Sequence, residues 1–369
     1  MKFVVSTKPL KNATALGIIK SNITKLYYRS GLIQIKMNET TLILNIEAAS
    51  IKTMMQLSGS GSGEGDNAII VDCTVFKKLI DSIDADVITL SIENASLMIS
   101  AGTSRFTLPQ ILDVNEVQLS EPIAEYSNAD EITINSADWK FVSEHQTFAL
   151  ANYDKTNYPV YTNIWVGPDH DVLTGDFELS LFTHSKKGNF DSSCLLPVSL
   201  INLFATIPEG SKIIKVDRNY LINISTDAYD IITEFAPKYE DDPAVGSYNS
   251  NIFFGVLAKP ENNFTISIAP IIKFINQISL LSLGEFDKVI TFAVKDNVLT
   301  VSNNSNEYSM DIECSENYVI NFKLDYLKSV LSNFDTDTIN VGNVVRDGKT
   351  IGCNFWSDNL TILLAGTRG

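Results

Sequence analysis

The segment TVFKKLIDSI (residues 74–83) is matched in pattern by VSLINLFATI (residues 198–207) and LDYLKSVLSNF (residues 324–334). Each segment repeats apolar residues at intervals of three and four, which places them on one face of a short α-helix. The segments follow one another at intervals of about 125 residues, a period that predicts repeated domains rather than the short units of a solenoid. The chain of 369 residues has room for three such domains.

Alternating apolar and polar residues follow each of these helices, and this period of two predicts antiparallel strands separated by turns. A second helix is predicted near the start of each unit, at residues 8–20, 136–150 and 269–282, with Ser136 as an N-cap. The predicted fold class is therefore α+β, with two helices packed on antiparallel sheets in each repeat. The predicted domains are residues 1–123, 124–258 and 259–369.

The overall composition is typical of a folded protein outside the membrane. Apolar residues make up 44% of the chain, and no run of 18 or more apolar residues is present, so no membrane partner is expected. The N-terminus lacks the apolar segment of a secretory signal, and the four cysteines form no Cys-x-x-Cys pair. We therefore expect reduced thiols and a cytoplasmic protein.

The net charge of −16 is distributed unevenly along the chain. Seven of the 28 Lys and Arg residues lie in residues 1–38, where Asp and Glu are absent, whereas all 44 acidic residues lie in the rest. Because physiological salt screens charges over about 8 Å, a bound polyanion responds to nearby lysines more than to remote carboxylates. The local pattern predicts contact with phosphates, and the alternative is a solvated helix face.

Several short motifs add a family resemblance. They are MKF at residues 1–3, AGTSRFTLP at residues 101–109, ISLLS at residues 278–282 followed by Glu285 and Phe286, and NVLTVSNN at residues 297–304. In this order and spacing they resemble the bacterial β-type DNA sliding clamp, the beta subunit of DNA polymerase III, over essentially the whole chain. The low Arg content and the high Asn, Ile and Lys content suit a divergent or phage-encoded member.

The resemblance implies three clamp domains that form a crescent, and two crescents that close into a ring around duplex DNA. Such a clamp is not an enzyme and needs no cofactor or metal, because it serves as a processivity factor that tethers the polymerase. The implied partners are double-stranded DNA of any sequence, DNA polymerase, a clamp loader and a second copy of the chain. The implied location is the cytoplasm of a bacterial cell or of an infected bacterial host.

The lysines expected to contact DNA lie on the predicted helices and in two loops. The charge pattern selects those on the helices, and the resemblance adds Lys20, Lys25 and Lys155 in loops that approach DNA in the family. The complete predicted set is Lys8, Lys11, Lys20, Lys25, Lys77, Lys78, Lys140, Lys155, Lys273 and Lys328.

The resemblance also implies a groove between the second and third domains that binds a short partner peptide with Gln and apolar anchors. The residues assigned to this groove are Tyr161, Thr174, Phe177, Leu179, Tyr326, Val344, Leu363 and Leu364. The chain departs from the family at GDFEL (residues 175–179), where the family has Asp-Gly-His-Arg-Leu, and at AGT (residues 365–367), where it has Met-Pro-Met. A reshaped groove is therefore expected, and the alternative is that these residues are ordinary core.

Head-to-tail contact between two copies would close the ring. The resemblance places Leu79, Ile83 and Phe106 of one copy against Leu280 and Leu281 of the other, and the strand at residues 303–313 completes the shared sheet. Pairing would also cover two sheet edges that otherwise invite aggregation. The alternative is a monomer with capped edges.

No sequence pattern indicates catalysis. The Gly-rich stretch SGSGSGEG (residues 58–65) matches neither phosphate-loop pattern and is interpreted as a flexible hairpin loop, and the three histidines lack metal-ligand spacing. Two rival functions are a β-rich viral structural or attachment protein and a glycoside hydrolase with paired carboxylates, the second of which no spacing supports. The repeated helix pair favours the clamp over the viral protein.

Overall fold

The computed structural model describes residues 1–18, 31–48, 51–64, 67–123, 130–150, 163–176, 181–188, 190, 193–216, 219–235, 257–281, 288–303 and 306–367. By their contacts the residues form two compact units. The first comprises Met1–Ala137 and Pro197–Lys238, and the second comprises Asp138–Leu196 and Tyr239–Gly369. The three predicted domains stay a prediction, because strands from neighbouring predicted domains share sheets.

Six α-helices and 25 strands are present in these described ranges. The helices are α1 (Thr7–Gly17), α2 (Cys73–Ser82), α3 (Ser136–His145), α4 (Val198–Phe204), α5 (Ile268–Leu281) and α6 (Leu324–Ser332). The strands up to residue 185 are β1 (Lys2–Ser6), β2 (Leu32–Met37), β3 (Thr41–Ala48), β4 (Ile51–Ser58), β5 (Ser60–Ser62), β6 (Ala68–Asp72), β7 (Val87–Glu93), β8 (Ser96–Ala101), β9 (Ser104–Pro109), β10 (Asp130–Thr133), β11 (Asn163–Val166), β12 (Val172–Asp176) and β13 (Leu181–Ser185). The later strands are β14 (Cys194–Pro197), β15 (Lys212–Val216), β16 (Asn219–Ser225), β17 (Tyr229–Phe235), β18 (Phe264–Ser267), β19 (Val289–Lys295), β20 (Val298–Ser302), β21 (Glu307–Asp311), β22 (Tyr318–Lys323), β23 (Thr338–Arg346), β24 (Lys349–Trp356) and β25 (Thr361–Ala365).

Two eight-stranded sheets join strands that are far apart in the sequence. In the first unit the order is β10-β15-β16-β17-β4-β3-β2-β6, and β17 pairs with β4 over seven residues, from Tyr229 opposite Leu57 to Phe235 opposite Ile51. In the second unit the order is β14-β11-β12-β13-β25-β24-β23-β18. Two smaller sheets have the orders β5-β1-β7-β8-β9 and β21-β20-β19-β22. The predicted α+β class with antiparallel sheets is confirmed.

The helices begin and end close to the predicted residues. Asp72 caps α2, because its carboxylate accepts a hydrogen bond from the backbone N–H of Val75 at 2.7 Å. Ser136 is the first residue of α3 rather than its N-cap, so the predicted cap is one position too late. Helix α1 ends at Gly17, which packs closely against the sheet: a Cβ atom there would lie 2.4 Å from Sδ of Met55, whose side chain would have to shift.

Each unit has its own apolar core beneath its helices. In the first unit, α1 and α2 pack on each other and bury Leu10 and Phe76 against the sheets. In the second unit, α5 and α6 pack on each other over a core that includes three fully buried phenylalanines, Phe292, Phe322 and Phe355. The apolar spacing of each helix therefore gives it one buried face and leaves the opposite face to solvent.

The interpretation of residues 58–65 as a flexible loop was wrong for the middle of that stretch. Ser60–Ser62 form β5, which pairs with β1, and the backbone N–H of Gly61 donates to the carbonyl of Glu39 at 2.8 Å. A Cβ atom on Gly61 would lie 2.2 Å from the carbonyl oxygen of Asn38. Glycine is therefore needed here because two backbone segments approach closely, and not because the chain must be flexible.

The connector at residues 110–123 is hydrogen-bonded to two strands of the first unit's large sheet. The backbone N–H of Ser120 donates to Glu47 at 2.9 Å, and that of Ile123 donates to Glu234 at 2.9 Å. Both acceptors are buried carboxylates on different strands of the sheet, Glu47 on β3 and Glu234 on β17. Charge-assisted hydrogen bonds of this kind stabilise the connector on its sheet.

Glu121, in the same connector, predicts a pH-dependent contribution to stability. Its carboxylate accepts from the ammonium of Lys36 at 2.6 Å and from the amide of Asn45 at 3.1 Å, and the bond from Lys36 lowers the pKa of Glu121 below its usual 4.5. A lowered folded-state pKa adds stability that is fully present above the unfolded-state pKa and is lost as the pH falls through the folded value. The carboxylate is half exposed, so we expect Glu121→Gln to cost less than about 1 kcal/mol at pH 7.

Urea denaturation at several pH values measures this contribution. The difference between wild type and Glu121→Gln should shrink as the pH falls below about 4.5 and then vanish. Glu116→Gln, at an exposed position of the same connector, is the matched control. A difference between wild type and Glu121→Gln that stays constant with pH would contradict the assignment.

Candidate nucleic-acid interface and partner groove

The predicted DNA-contacting lysines that the structure describes all lie on helices. Lys8 and Lys11 are on α1, and the others are Lys77 and Lys78 on α2, Lys140 on α3, Lys273 on α5 and Lys328 on α6. Helix α4 carries no charged residue. Each of these lysines is exposed or half exposed, because the apolar residues of its helix turn the opposite face to the core. Lys20, Lys25 and Lys155 lie outside the described residues.

Two of these lysines are already paired with carboxylates on their own helices. Lys77 lies 2.9 Å from Asp81 and Lys140 lies 3.9 Å from Glu144, in both cases four residues along the helix. Exposed pairs of this type are worth about 0–1 kcal/mol, so a phosphate can displace the carboxylate. Within the described ranges, no carboxylate lies within 4.0 Å of the ammonium groups of Lys8, Lys11, Lys78, Lys273 and Lys328.

The residues predicted for the contact between copies differ sharply in exposure. Leu280 and Leu281, at the C-terminal end of α5, have exposed fractions of 84% and 65%. In the first unit, Ile83 is buried and Phe106 is half buried, and both line a cleft of about 290 Å³. Leu79 is also half buried, on α2. The exposure of these two adjacent leucines leaves apolar surface that a contact between copies would cover, and the predicted interface stays a prediction.

The predicted interface strands lie at sheet edges. Among the strands described, β9 ends the five-stranded sheet of the first unit and β21 ends the four-stranded sheet of the second. An edge strand leaves alternate backbone N–H and C=O groups free to pair with another strand. The two edges therefore have the geometry that pairing between copies requires.

The structure brings together two of the residues predicted for the partner groove. Leu363 on β25 belongs to a small buried apolar cluster on one face of the second unit's large sheet, and Val344 on β23 packs against this cluster. We call it the groove cluster. Its members are Trp165, Leu173, Phe182, Leu195, Leu257 and Leu363, with Val344 beside them.

The other predicted groove residues are placed differently. Leu364 belongs to the main core of the second unit, and Tyr326 on α6 packs against that same core. Thr174 is buried in a polar network. Tyr161, Phe177 and Leu179 lie outside the described residues. The sequence interpretation missed Leu173 and Phe182, although the period of two along β12 and β13 could have located both on one face.

A polar network joins Gln146, the residue that follows α3, to β12 and β13. Gln146, which follows α3 and is 0% exposed, donates its amide N–H groups to Oγ1 of Thr183 at 3.0 Å and to the carbonyl of Val172 at 3.3 Å. Its amide oxygen accepts from the hydroxyl of Ser185 at 2.7 Å. Its backbone carbonyl accepts from Oγ1 of Thr174 at 3.0 Å, and the hydroxyls of Thr174 and Thr183 are 2.6 Å apart.

Metal chemistry and thiol chemistry find no support in the described ranges. No group of three or more His, Cys, Asp or Glu residues there could hold a metal ion. Cys73, Cys194 and Cys353 are buried and Cys314 is half buried, and no disulfide joins these four described cysteines. Burial raises the pKa of the Cys73 and Cys353 thiols to about 12, so neither is a thiolate near neutral pH.

No described helix is long and apolar enough to cross a membrane.

Comparison with known proteins gives a full-length structural likeness. No protein-family model matches the sequence, and no curated protein matches it. The structure is similar to the DNA polymerase III beta subunit of Thermotoga maritima, with a TM-score of 0.74 and 15% identity over 100% of this chain and 99% of that one. It is also similar to the beta subunit of Pseudomonas aeruginosa, with a TM-score of 0.71 and 15% identity over 100% of both chains.

A further similar structure is the Pseudomonas aeruginosa sliding clamp bound to griselimycin, with a TM-score of 0.70 and 14% identity over 100% of both chains. These likenesses confirm the resemblance that the short motifs indicate, and they give no support to a viral structural protein. Identities this low establish the arrangement of the backbone and not the partners. Over its whole length, the chain has the fold of the DNA polymerase III beta subunit.

Proposed function

We propose that the protein is a DNA sliding clamp, a processivity factor that encircles duplex DNA and tethers a DNA polymerase. The observation that carries the proposal is the likeness to beta subunits over the entire chain, with TM-scores up to 0.74. In this proposal the chain consists of three clamp domains, residues 1–123, 124–258 and 259–369, forms a crescent and closes into a ring with a second copy. It performs no catalysis and acts in the cytoplasm of a bacterium or an infected bacterial host, where a clamp loader places it on DNA.

The charge of the helices supports duplex DNA as the partner. Lysines occur on five of the six described helices, and these lysines contact phosphates in the proposal. Contacts to phosphate carry no sequence information, which is what a protein that slides along DNA requires. The acidic excess elsewhere in the chain repels DNA from the remaining surface.

The groove cluster and its surroundings form the partner site in this proposal. Val344 is half buried beside the buried Leu363, so an apolar side chain from a peptide could extend the cluster. A few apolar anchors that enter such a site usually supply most of the binding energy of a peptide. Griselimycin, which the Pseudomonas aeruginosa clamp binds, is a suitable chemical probe.

Retention on circular DNA tests the topological claim directly. Fluorescently labelled protein is diluted with a nicked circular plasmid and reconcentrated, so that rings close around the DNA, and is then passed through a sizing column in high salt. We expect the protein to stay with the circle and to be lost once the plasmid is linearised, because a ring slides off an open end. Equal loss from both forms would show that no ring encloses the DNA.

The salt dependence of binding tests the lysines. The triple variant Lys8→Ala, Lys11→Ala, Lys273→Ala removes charges that have no carboxylate partner within the described ranges. The slope of log K against log salt should become shallower by about 0.9 for each lysine that contacts a phosphate. Fluorescence anisotropy with a short linear duplex measures this slope.

A control triple variant makes the result specific. Lys259, Lys295 and Lys349 are exposed lysines outside the described helices, and replacing all three with Ala changes the net charge by the same amount. We expect this variant to keep the wild-type slope. Equal slopes in the two triple variants would mean that the slope depends only on net charge and that the helix lysines do not contact phosphate.

A further inference from the structure

The polar network around Gln146 uses every hydrogen that its side chains can donate. The hydroxyl of Thr174 donates to the backbone carbonyl of Gln146, so the 2.6 Å contact between the two threonines requires Thr183 to donate to Thr174. Ser185 donates to the amide oxygen of Gln146, and both amide N–H groups of Gln146 are used as donors. A fully satisfied buried network fixes one arrangement, because any alternative leaves a polar group without a partner.

This network lies directly behind the groove cluster. Thr174 on β12 is opposite Thr183 on β13, and successive residues of a strand point to opposite faces of the sheet. Leu173 and Phe182, the residues immediately before these threonines, therefore point to the other face, where both belong to the groove cluster. Phe182 is also opposite Leu363 of β25 in the same sheet.

Gln146 links these strands to a helix. It follows α3 by one residue, and its side chain donates hydrogen bonds to Val172 on β12 and to Thr183 on β13. His145, the last residue of α3, links this helix to α6, since its Nδ1 lies 2.7 Å from the backbone carbonyl of Asn333 at the end of α6. The end of α3 is therefore bonded to α6 through His145 and to the two strands through Gln146.

We propose that Gln146 is a positioning residue for the partner groove: it sets the placement of Leu173 and Phe182, and through them the apolar surface offered to a partner peptide, without touching the partner. The inference rests on the proposed function, because it assigns a role within the proposed groove. A network that served only stability would lower the melting temperature when broken and leave the affinity of the folded protein unchanged. A positioning role predicts that affinity falls in the folded state.

The test measures griselimycin binding to the full-length chain by calorimetry, at a temperature where every variant is folded. Wild type should bind, and Val344→Asp should abolish binding, which establishes that the probe reports on the groove. Gln146→Leu should bind at least tenfold more weakly than wild type. Its dimer mass and its retention on circular DNA should be unchanged, because none of the described helix lysines, nor Leu280, is among the residues that form the network.

Position 183 supplies a second, milder pair of variants. Thr183→Val keeps the shape of the side chain and removes the hydroxyl, and it should weaken binding severalfold, whereas Thr183→Ser keeps the hydroxyl and should retain wild-type affinity. This pair decides the question if Gln146→Leu fails to fold. The matched control is Thr53→Val in the first unit, which breaks an equally buried hydroxyl contact, at 3.1 Å to Thr233, far from the groove in the sequence. It should melt at a lower temperature and bind normally.

The outcomes separate this inference from the proposed function. Suppose first that wild type binds. The positioning role is then refuted if Thr183→Val binds as tightly as wild type, or if Thr53→Val weakens binding as much as Thr183→Val does. Neither result would contradict the proposed groove. If wild type itself fails to bind, or if Val344→Asp binds as tightly as wild type, the groove cluster is refuted as the binding site of this ligand and the positioning role with it. The ring is judged separately, by retention on circular DNA.

Discussion

Leu280→Asp is expected to convert the protein from a dimer to a monomer. Leu280 is 84% exposed within one copy, so the substitution removes little contact that the folded chain makes with itself. In the proposed ring, the same side chain is buried against the cleft beside Phe106 of the second copy. Burying a leucine is worth roughly 1.5–3 kcal/mol, and burying an unpaired carboxylate in its place costs more. A loss of about 4 kcal/mol at each of the ring's two contacts raises the dissociation constant at least a thousandfold.

Sedimentation velocity over a range of protein concentrations measures this change. The melting temperature of the variant at low concentration should match that of the monomeric wild type. Val345→Asp is the matched control, because Val345 is also an exposed apolar residue, with a 55% exposed fraction, but lies outside the predicted interface. If Leu280→Asp and Val345→Asp had the mass of wild type at every concentration, the assigned interface would be wrong.

The loss of the dimer should also remove topological retention. A monomer cannot enclose a duplex, so Leu280→Asp should elute from circular plasmid as quickly as from linear DNA. Its affinity for a short linear duplex should change much less, because the helix lysines are untouched. This contrast separates ring closure from phosphate contact within a single variant.

Phe322→Ala is expected to destabilise the second unit severely. Phe322 on β22 is 0% exposed, and its ring makes edge-to-face contacts with Phe292 at 5.5 Å and with Phe355 at 6.1 Å between centroids. Truncation of a buried phenylalanine costs about 3–5 kcal/mol through lost burial and the cavity left behind. The edge-to-face contacts contribute roughly 0.5–1.5 kcal/mol each to that loss.

Urea denaturation followed by hydrogen exchange measures the effect and locates it. Exchange should accelerate in the strands around Phe322 before it does so in the first unit, because the three rings belong to the core of the second unit alone. Val319→Ala, on the same strand at a position with a 65% exposed fraction, should change the free energy of unfolding by less than about 0.5 kcal/mol. A similar small change for Phe322→Ala would mean that this core is not packed as described.

The helices and their buried faces could be predicted from the sequence because the pattern that specifies them is local. In α2, Phe76 and Ile80 are four residues apart and both are fully buried, as the spacing predicts. The lysines of the same helix are left on the outer face for the same reason. The likeness to sliding clamps was also predictable, because short motifs in a fixed order are a property of the sequence.

The groove could be predicted only in part. Leu363 and Leu364 are adjacent apolar residues assigned to one site, yet they lie on opposite faces of β25, one in the groove cluster and the other in the main core. Both strand faces are buried there, so the alternation of polar and apolar residues that would distinguish them is missing. The role of Gln146 gave no sequence signal, because its partners lie 26 to 39 residues away.

The sequence by itself determined the α+β class and the buried face of each predicted helix, because these depend on residues within one or two turns of each other. Only the tertiary structure decided which strands pair. Thr53 and Thr233 are 180 residues apart and their hydroxyls lie 3.1 Å from each other across β4 and β17. The register of β4 with β17 depends on how the side chains of two strands distant in sequence pack together, and on the loops that bring the strands side by side. Neither can be read from a periodic pattern along the chain.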